Sequence, residues 1–182
     1  MSVDNGLFNG NFASLRRLSL TGISIGLPWK NLAKLQVLIL DPCTPGCDIG
    51  QILDFFESAP LLHTIKLWDS ISSQSHVSPE RIVPLPCLRT LHIDTEIVHS
   101  ILLNHLSIPP GVSLVQRFRY RGKKSPLVDY LPKTLANLKN LSHITTIDFR
   151  FSSDRKFLRL AGPSGKLFTF AYWVDHATLQ NS

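Results

Sequence analysis

Apolar residues recur along this 182-residue chain in blocks that occupy the first, fourth and sixth of six positions. The blocks read Leu15-Arg-Arg-Leu18-Ser-Leu20, Leu35-Gln-Val-Leu38-Ile-Leu40, Leu62-His-Thr-Ile65-Lys-Leu67 and Leu88-Arg-Thr-Leu91-His-Ile93. Two looser copies come after them, Val115-Gln-Arg-Phe118-Arg-Tyr120 and Ile144-Thr-Thr-Ile147-Asp-Phe149. The end of each block alternates apolar and polar side chains, the two-residue period of a strand. Between blocks the period changes. Ile49, Ile52, Leu53 and Phe56 predict a helix over 48–58, with Asp48 as its N-cap and Pro60 just beyond it. Val98, Leu102 and Leu106 predict a second helix over 97–106, stopped by Pro109-Pro110. Leu127, Leu131, Leu135 and Leu138 predict a third, broken or restarted at Pro132. The first return has room only for a single turn at Pro28–Leu32. Asp69–Glu80 carries five serines and no apolar stripe, which predicts a mobile surface loop.

First positions of the blocks are separated by 20, 27, 26, 27 and 29 residues. A strand motif of this form at this period is the signature of leucine-rich repeats, whose units bury their apolar faces only by stacking. The expected fold is an α/β solenoid of about six strand–helix repeats, with a parallel sheet on the concave face. Phe157-Leu-Arg-Leu160 and Leu167-Phe-Thr-Phe170 flank Gly162-Pro-Ser-Gly165 and predict a β-hairpin that caps the C-terminal end. The organisation expected is a loose lead-in at 1–14, a repeat array at 15–150, a capping hairpin at 151–170 and a tail at 171–182. Nothing comparable precedes the first strand, so the chain reads as the end of something longer or as a truncated gene model.

No run of about 18 apolar residues exists to span a membrane. The opening Met-Ser-Val-Asp-Asn-Gly does not have the form of a secretory signal. Three cysteines fit a reducing, intracellular compartment, cytoplasmic or nuclear. Cys43 falls on the ninth position of its repeat, where a cysteine satisfies backbone at the bend. Cys43 and Cys47 have no second close pair with which to complete a zinc site. Gly162-Pro-Ser-Gly-Lys166 lacks the first Gly and the trailing Ser or Thr of a phosphate loop. No nucleophile elbow, zinc-protease helix or dinucleotide fingerprint is present, and no cofactor, metal or enzymatic activity is expected. His92 and Asp94, two apart on a strand, read as a surface contact.

Binding chemistry is confined to the outward positions of the strands. Positions three, five and seven of the six copies carry six basic and three acidic residues. The candidate set is Arg17, Lys66, Trp68, His92, Asp94, Arg117, Arg119, Arg121, Asp148 and Arg150, with Trp68 and the arginines as anchors. Arg117, Arg119 and Arg121 form a ladder, expected to be flanked by Asp94 and Asp148 on the neighbouring strands. Together with the net charge of +6, the ladder points to an acidic or phosphorylated protein partner. A nucleic-acid-binding surface is the alternative, though the face lacks the aromatic platform on which single strands stack.

Four further segments carry a resemblance. Ile52-Leu-Asp-Phe-Phe-Glu-Ser-Ala-Pro-Leu-Leu-His-Thr-Ile-Lys-Leu67 and Leu102-Leu-Asn-His-Leu-Ser-Ile-Pro-Pro-Gly-Val-Ser-Leu114 resemble repeats of the F-box-like proteins of mushroom-forming (basidiomycete) fungi. Leu138-Lys-Asn-Leu-Ser-His-Ile-Thr-Thr-Ile147 and Leu160-Ala-Gly-Pro-Ser-Gly165 are similar to later ones. The resemblance implies the substrate-recognition part of a ubiquitin-ligase receptor. It lacks the F-box itself, whose Leu-Pro-x-Glu opening is absent. A cullin-ligase adaptor would then be a partner only if an F-box lay in a longer gene product.

Overall fold

A computed structural model describes residues 2–3, 12–22, 24–25, 32–42, 47–71, 77–94, 99–120, 136–151, 155–163 and 165–174. In chain order the elements are β1 (Ser2–Val3), β2 (Arg17–Thr21), β3 (Ser24–Ile25), β4 (Val37–Asp41), α1 (Ile49–Ser58), β5 (Thr64–Trp68), β6 (Val83–Pro84), β7 (Thr90–Asp94), α2 (His99–Asn104), β8 (Leu106–Ser107) and β9 (Ser113–Tyr120). A 3-10 helix (Lys139–His143), β10 (Thr146–Phe151), β11 (Arg155–Gly162) and β12 (Gly165–Val174) complete them.

Eight strands form one sheet in the order β2-β4-β5-β7-β9-β12-β11-β10. From β2 to β12 neighbouring strands run parallel, whereas β11 and β10 are antiparallel to the strands beside them. The core-facing residues align in register, Leu38 beside Ile65, Ile65 beside Leu91, Leu91 beside Leu114 and Leu114 beside Phe168. All five are buried. Against this face packs α1, through Ile49, Ile52, Leu53, Phe55 and Phe56. Its start is fixed as the sequence predicts: the Asp48 carboxylate accepts from the Gln51 backbone N–H, and the Gln51 side chain accepts from the Asp48 N–H. Arg81 ties the following segment to α1 by ion pairs to Asp54 (2.6 Å) and Glu57 (3.1 Å). Behind the sheet, the returns touch each other through two-residue parallel pairings (β1 with β3, β6 with β8) and the single bridges Cys47–Ile71 and Ile108–Leu138.

This is not the expected leucine-rich-repeat solenoid of strand–helix units. Among the described residues there are two α-helices, of ten and six residues, and the large sheet is mixed. The repeated motif encodes a strand and its buried leucines. It does not encode how the chain returns from one strand to the next, and several returns cross by turns and two-residue strands. Of the helix expected over 97–106, the described part is His99–Asn104, and it ends before Leu106, where β8 begins. Most of the third expected stripe, the Pro28–Leu32 turn except Leu32, Cys43 and the middle of the Asp69–Glu80 loop lie outside the described residues.

The C-terminal hairpin does form, with Gly165 at φ +110° in its turn, a conformation that glycine adopts without steric cost. It does not cap the sheet's end. β12 pairs with β9, and β10 is displaced to the outer edge. The competition has a physical basis. β12 offers Phe168 and Phe170, each 2% exposed, to the core, whereas Ile147 on β10 remains 67% exposed. Seating two buried phenylalanines beside β9 removes more apolar surface from water. The sheet thus runs continuously from the expected array through the hairpin, whose strands reach Val174.

Candidate binding face

Opposite the core, the sheet presents one face whose composition follows from strand alternation. A single row runs across all eight strands: Ser19, Ile39, Lys66, His92, Val115, Thr169, Arg159 and Asp148. The next row contains Trp68, Asp94, Arg117, Ala171, Phe157 and Arg150. Lys66, Trp68, His92, Asp94 and Arg117 are therefore immediate neighbours near the middle of the sheet.

Trp68 ends β5, and the turn after it is held in place. Asp69 takes φ +43° and its N–H donates to the Asp94 carbonyl at 2.8 Å. The Ser70 hydroxyl, fully buried, donates back to the Trp68 carbonyl at 2.6 Å. The indole so positioned is half-buried. It meets the His92 ring edge-on, with centroids 5.5 Å apart and planes at 73°. The Lys66 ammonium lies 5.8 Å from the indole centroid, within cation–π range.

His92 has no hydrogen-bond partner for its buried Nε2 among the described residues. Burial pushes its pKa down to about 4, and the positive charges of Arg117 and Lys66 push the same way. The imidazole is therefore neutral at physiological pH. Its depressed pKa reports desolvation first and the two nearby cations second, and Asp94 stands in the ladder between Trp68 and Arg117. A half-buried aromatic wall, two cations and a desolvated nitrogen together can receive an anionic group that has apolar neighbours.

The other expected residues lie elsewhere. Arg17 is exposed on β2, at the far edge. Asp148 and Arg150 sit on β10, at the opposite edge, and pair with each other at 2.9 Å. Hydrogen bonding from Arg150 holds the Asp148 carboxyl below the usual carboxylate range. Two strands, β12 and β11, separate Asp148 from β9, so it does not flank the arginine ladder as expected. Asp94 does lie on a neighbouring strand, directly beside Arg117.

The ladder itself is displaced. The copy beginning at Val115 would set Arg119 beside His92, but Val115 occupies that place and Arg117 lies beside Asp94. The true fifth copy is Gly111-Val-Ser-Leu114-Val-Gln116, four residues earlier. It is disguised because its last core position holds Gln116, which is fully buried beside Ile93 and Phe170. An even slip keeps each residue on its face, so Arg117 still points outward while Arg119 moves further along the strand. Arg121 lies outside the described residues.

Arg159 joins the face without having been expected there. It pairs with Thr169 on one side and Asp148 on the other, and its Nε is buried without a partner among the described residues. Alternation in Arg155-Lys-Phe-Leu-Arg159 carried the signal, but a hairpin assigned to capping was not read for a binding face. Among the described residues no group of three or more His, Cys, Asp or Glu could hold a metal ion. No helix of the described residues is long and apolar enough to cross a membrane. No protein-family model matches the chain, and no curated protein or solved structure is significantly similar to it.

Proposed function

We propose that this chain is a protein-interaction module and that the cluster of Lys66, Trp68, His92 and Arg117 binds an acidic or phosphorylated segment of a partner protein. The observation that carries the reading is the neutral, desolvated His92 held between two cations and a tryptophan on an outer face. Within the free chain Lys66 has the Trp68 indole and Arg117 has Asp94 beside it, but the buried Nε2 of His92 between them has no partner among the described residues. A carboxylate or phosphate would accept from Lys66 and Arg117, and the indole would supply apolar contact. Trp and Arg are the residue types most enriched where interfaces derive their energy. An arriving anion would also raise the pKa of His92, so binding would take up protons on the acid side.

Titrating the full chain with an acidic phosphoserine peptide, and separately with a single-stranded oligonucleotide of equal charge, tests this reading. Peptide binding is expected to weaken on Lys66→Ser and on Arg117→Ser, and to be untouched by Arg17→Ser at the far edge. Unchanged peptide affinity in the first two variants overturns the site. Oligonucleotide binding that collapses with added salt, with no peptide binding, makes the face a nucleic-acid surface instead.

A further inference from the structure

A different surface lies at the edge of the sheet. Strand β10 closes one end of the sheet, and among the described residues no strand pairs with its outer edge. Open edges are normally blunted, because a row of free N–H and C=O groups templates another strand. The apolar side of this one is not blunted. Ile147 stands 67% exposed. Beside it, on the same face, opens a cavity of about 660 Å³ whose lining includes Leu141, Ile144, Leu158 and Leu160. Ile147 lies directly opposite Leu160 in the ladder, so the apolar surface continues from the cavity to the edge.

The sequence of the edge strand, Thr146-Ile-Asp-Phe-Arg-Phe151, puts 146, 148 and 150 on one face and 147, 149 and 151 on the other. Antiparallel pairing with an identical strand, faces kept alike, allows only registers that match even with even positions. Setting Asp148 against its own copy, or Arg150 against its own, brings like charges together. Among the registers that pair most of the strand, one avoids both. It places Asp148 opposite Arg150 twice, 147 opposite 151 twice, and Phe149 opposite itself. Charge complementarity is met in this register, and the arrangement closes on itself.

We propose that the chain forms a two-fold dimer through antiparallel β10–β10 pairing, which joins two eight-stranded sheets into one. The interface is isologous, so it stops at two copies. In the free chain Arg150 holds Asp148 of its own strand at 2.9 Å, and Asp148 also faces Arg159 across the ladder. In the dimer each Arg150 forks to the other copy's Asp148, an exchange that loses no ion pair.

Sedimentation equilibrium of the full chain, with far-UV circular dichroism to confirm the fold of each variant, tests the proposal. The wild-type chain is expected to dimerise. Asp148→Arg or Arg150→Asp alone sets like charges opposite each other at two symmetric places and should raise the dimer dissociation constant about tenfold. The double exchange Asp148→Arg/Arg150→Asp restores opposite charges and should restore the dimer. A wild-type chain that stays monomeric at every concentration it reaches overturns the proposal. So does a dimer indifferent to the single reversals, a double exchange that fails to recover association while remaining folded, or growth beyond two copies.

Discussion

His92 lies directly across the β5–β7 ladder from Lys66, an imidazole beside an ammonium, and the pair stays tolerable because the imidazole carries no proton. Its folded pKa, about 4, is below the ordinary 6.5. The unfolded chain therefore binds more protons at His92 between those two values. Its contribution to stability is complete above pH 6.5 and is lost as pH falls through the window toward 4. Because the ring is only half-buried, the effect is held to ~1 kcal/mol by solvent screening. Urea denaturation on either side of the window should show His92→Gln losing less stability on acidification than the wild-type chain. Equal losses would mean that the imidazole is not held neutral.

Gln116 should be a weak point that substitution repairs. It is fully buried on the core face, and neither its Oε1 nor its Nε2 has a partner among the described residues. An unsatisfied buried amide costs about 1–3 kcal/mol. Gln116→Met keeps the length and removes the polar atoms. The denaturation midpoint is expected to rise. A fall would show that the amide has a partner that matters.

The centre of the sheet should be intolerant of truncation. Leu91 is 0% exposed and sits between Ile65 and Leu114 in the core row. Leu91→Ala should cost about 2–5 kcal/mol. Leu61→Ala, at a site 40% exposed, should stay within about 0.5 kcal/mol. Chemical denaturation of both variants measures the contrast, and similar losses would contradict this core.

Asp48 closes the first turn of α1 by a reciprocal pair of hydrogen bonds with Gln51. Asp48→Ala should destabilise by about 1 kcal/mol, and Asp48→Asn by less, because Asn also caps. The test is the ratio between the two in equilibrium unfolding. An equal loss would assign the effect to charge rather than to capping.

Strand positions were legible because their signal is local. Leu38 and Leu40, Ile65 and Leu67, and Leu91 and Ile93 each alternate with half-buried residues, and β4, β5 and β7 begin and end where that alternation predicts. The outward placement of Lys66, Trp68, His92 and Asp94 follows from the same parity. Which strand sits beside which was not legible. Phe168 and Ile147 belong to segments with equally good alternation, and only the burial available beside β9 decides between them. The helical returns were legible only in part: α1 forms where its stripe predicts, whereas the described part of the second helix stops at Asn104. A stripe of leucines shows that a segment has an apolar face, but not that a helix is the most favourable way to bury it. The displaced arginine ladder traces to two residues: Gly111 and Gln116, in the first and last motif positions, broke the pattern that would have located the fifth strand.

Placing β12 between β9 and β10 has a consequence for how the chain is made. A ribosome delivers residues in order, and β2, β4, β5, β7 and β9 can each dock on the strand before as they emerge. β10 emerges next and has no seat. Its one neighbour in the sheet, β11, and the strand that joins both to β9 are synthesised after it. For that interval the growing molecule has an unpaired β9 edge and a free amphipathic strand with nowhere to go, conditions under which nascent chains mispair. Docking of these strands onto the sheet must therefore await β12, which brings Phe168 and Phe170 to the core, although β10 and β11 can pair with each other beforehand.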